Sequence, residues 1–175
     1  MAKIRQLLLL RHAKSSWDDT ALADFDRPLA PRGRKAAPRM AEEILKRGWL
    51  PDLALVSPSV RTRETWQLAS ARWPVPQPPV AFPDDLYLAT ARELLAEVQS
   101  ASDAVMTLLV VAHNPGLEDF ALQLAGSGSD DNALKLLADK FSTGALARLQ
   151  FEGAWNELNF GSARLTHCLR PKDLN

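Results

Sequence analysis

The sequence predicts an α/β domain of three layers, with helices covering both faces of a mainly parallel central sheet. Three observations carry that reading. Apolar runs at residues 4–10, 53–56 and 105–112 read as strands buried on both faces, the kind found inside a parallel sheet. Segments of helical spacing follow each of them. The connections are short, and strand, helix, strand, helix order then gives parallel crossovers. A chain of 175 residues that is 46% hydrophobic and 24% charged suits one globular domain over residues 1–175, without a large insertion.

Taken in order, the first strand delivers Arg11 and His12 at its C-terminal end. Pro31 and Gly33 open a segment in which Ala37, Met40, Ala41, Ile44 and Leu45 follow helical spacing, with Gly48 at the C′ position and Pro38 an irregularity near the start. After the second strand, Ser57 and Pro58 read as N-cap and first residue of a helix running to about Ala71, with Arg61 in its first turn. Pro74, Pro76, Pro78, Pro79 and Pro83 then favour an extended connection, enclosing a short strand at residues 80–82. Thr90 and Glu93 form a capping-box pattern ahead of a helix at residues 91–99.

The third buried strand ends at His113, and Asn114-Pro115 reads as N-cap and first residue of a helix ending near Gly126. Residues 126–132 read as a polar loop. Residues 144–151 and 163–169 have strand-like patterns that would extend the sheet, with an antiparallel orientation open to them.

Composition excludes several classes of function. Twenty-one basic residues balance 21 acidic ones, so bulk charge gives no reason for binding nucleic acid or an anionic membrane. The N-terminal apolar run is too short for a signal-peptide core, and the longest apolar stretch falls far short of the ~20 residues of a membrane helix. Cys168 is the single cysteine, which rules out an intrachain disulfide and a site built from several thiolates. A soluble, cytoplasmic protein is the expectation. The five tryptophans, Trp17, Trp49, Trp66, Trp73 and Trp155, read as core or rim packing, because no basic stripe interleaves them.

The chemistry lies at the strand ends. Ligands of parallel sheets bind beyond the C-terminal ends of the strands, where this chain places Arg11-His12, Arg61 and His113. A neutral histidine aimed in line can attack phosphorus while flanking cations stabilise the equatorial oxygens. Arginine suits that task because its planar fork donates two hydrogen bonds to an oxyanion and stays charged. A protonated His113 would add a third cation, and the helix after Pro115 would add backbone N–H donors. Alone, each residue has a plainer reading: a structural histidine, or a solvated helix arginine beside Arg63 and Arg72. Their joint placement outweighs it.

The stretches Leu9-Leu10-Arg11-His12-Ala13-Lys14-Ser15, Arg27-Pro28-Leu29 with Arg32-Gly33, Ser57-Pro58-Ser59-Val60-Arg61 with Thr65, and Val111-Ala112-His113-Asn114-Pro115-Gly116 occur in that order. Together they resemble the histidine phosphatase superfamily, also called phosphoglycerate mutase-like. The short length and the Arg-His-Ala-Lys-Ser-Ser-Trp opening are similar to its SixA-type phosphohistidine phosphatases. The resemblance implies that His12 is phosphorylated, that Arg11, Arg61 and His113 hold the phosphoryl group, and that no metal or other cofactor is required. Lys14, Ser15, Asp18 and Asn114 are further candidates for lining the substrate site.

Two departures bear on the proton donor. Many family members read Arg-His-Gly followed by an asparagine six residues after the histidine, where this chain has Ala13 and Asp18. Their usual acid is a glutamate downstream of the second arginine motif, where the stretch Asp84-Asp85-Leu86-Tyr87 offers only aspartates. Asp18, Asp84 and Asp85 are therefore all open as general acid, as is the absence of one. An alkoxide leaving group needs such an acid, whereas a phosphohistidine ring can be protonated before it departs. The expected partner is accordingly a histidine-phosphorylated protein, with small phosphate esters as the alternative substrate and a non-catalytic phosphate-recognition module as the other reading. A metal-dependent hydrolase is disfavoured by the lack of a second histidine at helical spacing and of a dense Asp/His cluster.

Overall fold

The computed structural model describes residues 3–174. A six-stranded sheet has the order β3-β2-β4-β1-β5-β6, comprising β1 (Ile4–Arg11), β2 (Leu53–Val56), β3 (Val80–Ala81), β4 (Thr107–Ala112), β5 (Leu146–Glu152) and β6 (Arg164–Leu169). The first four strands run parallel, and β5 pairs antiparallel with both β1 and β6. The mainly parallel α/β reading is thus borne out.

The helices are α1 (Pro31–Lys46), α2 (Val60–Ser70), α3 (Ala91–Gln99), α4 (Gly116–Leu124) and α5 (Asp131–Asp139). Alternation along the strands decides which helices each face receives. Leu8, Leu10, Leu109 and Val111 pack with Met40, Ala41 and Ile44 of α1 and Trp66 of α2. Leu7, Leu9, Leu108 and Val110 pack with Leu94 and Leu95 of α3, Leu117 and Phe120 of α4, and Leu137 of α5. Neither side of the central strands meets water, which is why they read as unbroken apolar runs.

Several boundaries differ from the sequence reading. The N-cap of α2 is Ser59, whose hydroxyl accepts from the Thr62 N–H. Ser57 stays at the strand end, where its hydroxyl bonds His113. Helix α4 begins one residue late, at Gly116, although the Asn114 side-chain oxygen still accepts from the Glu118 N–H. Helix α5 went unread: it starts inside the expected 126–132 loop, capped by Asp130, and only Ala133 and Leu137 are fully buried. So sparse an apolar face leaves little periodic signal. The Thr90–Glu93 capping box, Gly48 in left-handed conformation after α1, and Pro38 within that helix are as expected.

Candidate active site

Strand β4 lies between β1 and β2, so the three C-terminal ends emerge side by side. The His12 N–H donates to the Ala112 carbonyl at 3.1 Å and the Ser57 N–H to the Val111 carbonyl at 3.0 Å. That register brings the His12 and His113 rings to 5.5 Å between centroids. Arg61, in the first turn of α2, bridges them: its Nε–H points to His12 Nε2 at 3.4 Å and an Nη2–H to His113 Nδ1 at 3.1 Å. His12, Arg61 and His113 are 6%, 3% and 2% exposed, so their polar atoms depend on each other or on a ligand.

The bonds fix both tautomers. His12 Nδ1–H donates to the Ala13 carbonyl at 2.8 Å, leaving the Nε2 lone pair facing Arg61. His113 Nδ1 meets a guanidinium donor, so it is the acceptor, and Nε2–H donates to the Ser57 hydroxyl at 2.7 Å. Burial, above all, lowers the His12 pKa to about 3, with the Ala13 carbonyl opposing it and Arg61, Arg11 and Arg27 reinforcing it. Burial followed by the charge of Arg61 takes His113 to about 3 as well. His113 therefore enters the free site neutral, and not as a third cation.

Arg11 is half-buried. It donates through Nη1 to the Phe141 carbonyl at 3.1 Å, which also accepts from Asn114 Nδ2 at 3.0 Å. Its Nε is buried with no hydrogen-bond partner among the described residues. Asn114 thus anchors the wall on which Arg11 rests.

Sequence reasoning missed Asp24 and the role of Tyr87, and it quoted Arg27, Ser57 and Thr65 within the family motifs without giving them a place in the site. Arg61 donates through Nη1 to the Asp24 carbonyl at 2.7 Å and through Nη2 to Asp24 Oδ2 at 3.1 Å. The Tyr87 hydroxyl donates to the same carboxylate oxygen, and Arg27 reaches the other at 3.2 Å. Partial burial raises the Asp24 pKa, but Tyr87, Arg61 and Arg27 together outweigh it and lower it to about 2. The short turn Asp24–Asp26 leans over the site, with Phe25 edge-on to Tyr87 and Tyr87 edge-on to His113. Thr65 accepts from the Ala13 N–H at 3.0 Å and donates to the Arg61 carbonyl at 2.7 Å, tying the loop after His12 to α2. A three-residue turn has no periodicity to betray it; the available signal for Asp24 was its place three residues before Arg27.

The remaining candidates lie outside this cluster. Ser15 is buried and accepts from Arg27 at 2.9 Å. Lys14 has its backbone clamped by α1, since its carbonyl accepts from the Ala30 N–H, while its side chain lines a neighbouring cavity. Asp18 is exposed, and its carboxylate has no partner among the described residues. Asp84 and Asp85 open a short turn, Asp84–Leu86, that delivers Tyr87. Among the described residues, no three His, Cys, Asp or Glu side chains converge as a metal site.

A buried, neutral histidine nitrogen beside two arginines, at the C-terminal edge of a parallel sheet, can receive a tetrahedral oxyanion and attack its centre. The fold and site thus define an α/β phosphoryl-handling protein. Comparison with known proteins narrows the class. The family model described as histidine phosphatase superfamily (branch 1) matches residues 7–84. An uncharacterized protein of Mycobacterium leprae is 35% identical over 172 residues, covering 93% of this chain and all of the relative. A candidate phosphohistidine phosphatase SixA from Nakamurella multipartitia has a structure similar at TM-score 0.82 and 32% identity, over 97% of this chain and 98% of that one. The protein histidine phosphatase SixA complexed with tungstate shares the fold at TM-score 0.78 and 20% identity, over 97% and 99% of the two chains. The chain belongs to the histidine phosphatase superfamily. Its relationships and site support phosphatase chemistry as its class of activity.

Proposed function

We propose that this protein is a metal-independent phosphatase that passes the phosphoryl group through His12, and that its substrate is phosphohistidine in another protein. The observation that carries the mechanism is the His12 tautomer: Nδ1–H is engaged by the Ala13 carbonyl, so Nε2 is unprotonated and its pair faces the Arg61 guanidinium at 3.4 Å.

In the first step the Nε2 pair forms a bond to phosphorus, while the bond from phosphorus to the substrate nitrogen breaks. The departing ring, protonated on its other nitrogen beforehand, leaves as neutral imidazole. Phosphorylated His12 is then an imidazolium whose Nδ1–H still donates to Ala13, a contact that strengthens as charge develops. Arg61 and Arg11 offer guanidinium donors to the oxygens, and the His113 ring flanks them. In the second step water attacks phosphorus, the electron pair of the P–Nε2 bond returns to His12, and the water's proton leaves with phosphate or solvent.

Two features favour a phosphoramidate. Asp24, the carboxylate bonded to Arg61, is held ionised, so it carries no proton for an alkoxide. The candidate SixA relative at 32% identity points to the same substrate class. Incubation with a phosphohistidine peptide and with small phosphate esters, with trapping of acid-labile phosphoenzyme, tests the reading. Phosphoenzyme should form with wild type and not with His12→Ala, and chelators should leave turnover intact. Undiminished turnover by His12→Ala would remove the mechanism, and faster turnover of an ester by orders of magnitude would replace the substrate.

A further inference from the structure

A second cavity, of about 450 Å³, opens beside the nucleophile loop. Lys14 reaches it from the residues following His12, Lys172 faces it from the C-terminal turn, and α1 contributes Arg32, Lys35 and Arg39. These α1 positions recur at helical spacing, so the helix presents one cationic stripe ~10 Å long at ~1.5 Å per residue. Among the described residues no carboxylate lines the cavity. Among the described residues none of the five cations has an ion-pair partner. Arg39 donates to the Leu174 carbonyl at 2.7 Å, and in a chain with formal net charge zero the five side chains form a local concentration of positive charge.

The cavity shares structure with the catalytic cluster. Ser142 and Thr143 line it directly after Phe141, whose carbonyl accepts from Arg11 and Asn114. The next residue, Gly144, donates its N–H to the His12 carbonyl at 2.9 Å. An anion held here would be positioned relative to a phosphoryl group at His12 through short, bonded segments.

We propose that this cavity is a second anion subsite, which takes carboxylates of an acidic segment flanking the phosphohistidine of a protein substrate. The inference rests on the reading of His12 as the phosphoryl acceptor. Charge complementarity identifies the occupant. Five cations spread along a stripe and its facing wall exceed what one phosphate can engage, and they match several carboxylates spaced along a chain.

The test uses the full-length protein and four donors: phosphoimidazole, a phosphohistidine peptide flanked by Asp and Glu, the same peptide with Asn and Gln, and a small bisphosphate. The acidic peptide should have a kcat/KM about tenfold higher, through KM, with an advantage that shrinks as salt is added. The double variant R32E/K35E should erase that advantage and leave phosphoimidazole turnover unchanged. Equal kcat/KM for the two peptides, or a preference undiminished in the variant, overturns the subsite. Faster turnover of a small bisphosphate than of the acidic peptide, lost in the variant, also overturns it, by assigning the cavity to a second phosphate. If no donor is turned over, the catalytic reading fails separately, and fluorescence anisotropy of the unphosphorylated acidic peptide still decides. Binding lost in R32E/K35E upholds the subsite, and equal or absent binding to wild type and variant overturns it.

Discussion

The Arg61 nitrogen that reaches His113 Nδ1 at 3.1 Å also donates to the Asp24 carboxylate at 3.1 Å. The guanidinium proposed to hold an incoming oxyanion is thus already engaged by an anion of the protein's own. Asp24 holds the arginine in this orientation, and a phosphoryl group bound as proposed would compete with it.

The consequence can be measured with Asp24→Asn, which keeps the shape and removes the charge. A half-exposed ion pair contributes up to ~1 kcal/mol, so inhibition by phosphate or vanadate should tighten about two- to fivefold. Unchanged or weaker inhibition in a steady-state assay would show that Asp24 does not oppose anion binding.

The pH behaviour follows from two buried rings. His12 and His113 are lowered from 6.5 to about 3, so neither should titrate between pH 8 and pH 5 when their Cε1–H resonances are followed by NMR. Unfolded histidines bind protons below about 6.5 while these folded ones resist, so their neutrality favours the folded state above that pH. That contribution is lost as pH falls from 6.5 toward 3, at up to ~1.4 kcal/mol per histidine for each pH unit. Urea denaturation at neutral and mildly acidic pH should show the loss, and it should be smaller in His113→Asn.

Ser57→Ala tests the fixing of the second ring. It leaves the buried His113 Nε2–H without its 2.7 Å acceptor, at a cost of ~1–3 kcal/mol. A fall in kcat/KM of about tenfold is expected, with Ser57→Thr retaining more activity because it restores an acceptor. Equal activity of the alanine variant and wild type would remove Ser57 from the site's support.

Gly33→Ala tests the clamp on the loop after His12. An added Cβ would lie 2.2 Å from the Lys14 carbonyl oxygen and 2.8 Å from its nitrogen, both backbone atoms, so the loop and α1 must move apart. A stability loss of ~1–3 kcal/mol is expected in chemical denaturation, together with lower kcat. Full stability would mean that the loop yields without strain.

Legibility in the sequence followed the length scale of the signal. Strands β1, β2 and β4 announced themselves through unbroken apolar runs, and the Thr90 cap through a two-residue pattern. Arg11, His12, Arg61 and His113 could be placed together because a parallel sheet brings strand ends to one edge. Helix α5 was hidden by its narrow buried face, and the start of α2 shifted because Ser57 is used by His113 instead of by the helix.

The sequence by itself determined the three-layer architecture and the family, and it placed His12, Arg61 and His113 at one edge of the sheet, since these depend on periodicity and on motifs that survive in one dimension. Only the tertiary structure decided the protonation of the histidines, because burial and the Ala13 and Ser57 partners depend on neighbours contributed by separate elements. It also decided which carboxylate meets Arg61. Asp18, the nearer in sequence to His12, stays in solvent, while the turn at Asp24 is folded onto the site by Arg27, Tyr87 and Arg61. Hydrogen-bond geometry between distant segments has no counterpart in sequence spacing, and that geometry sets the chemistry of His12.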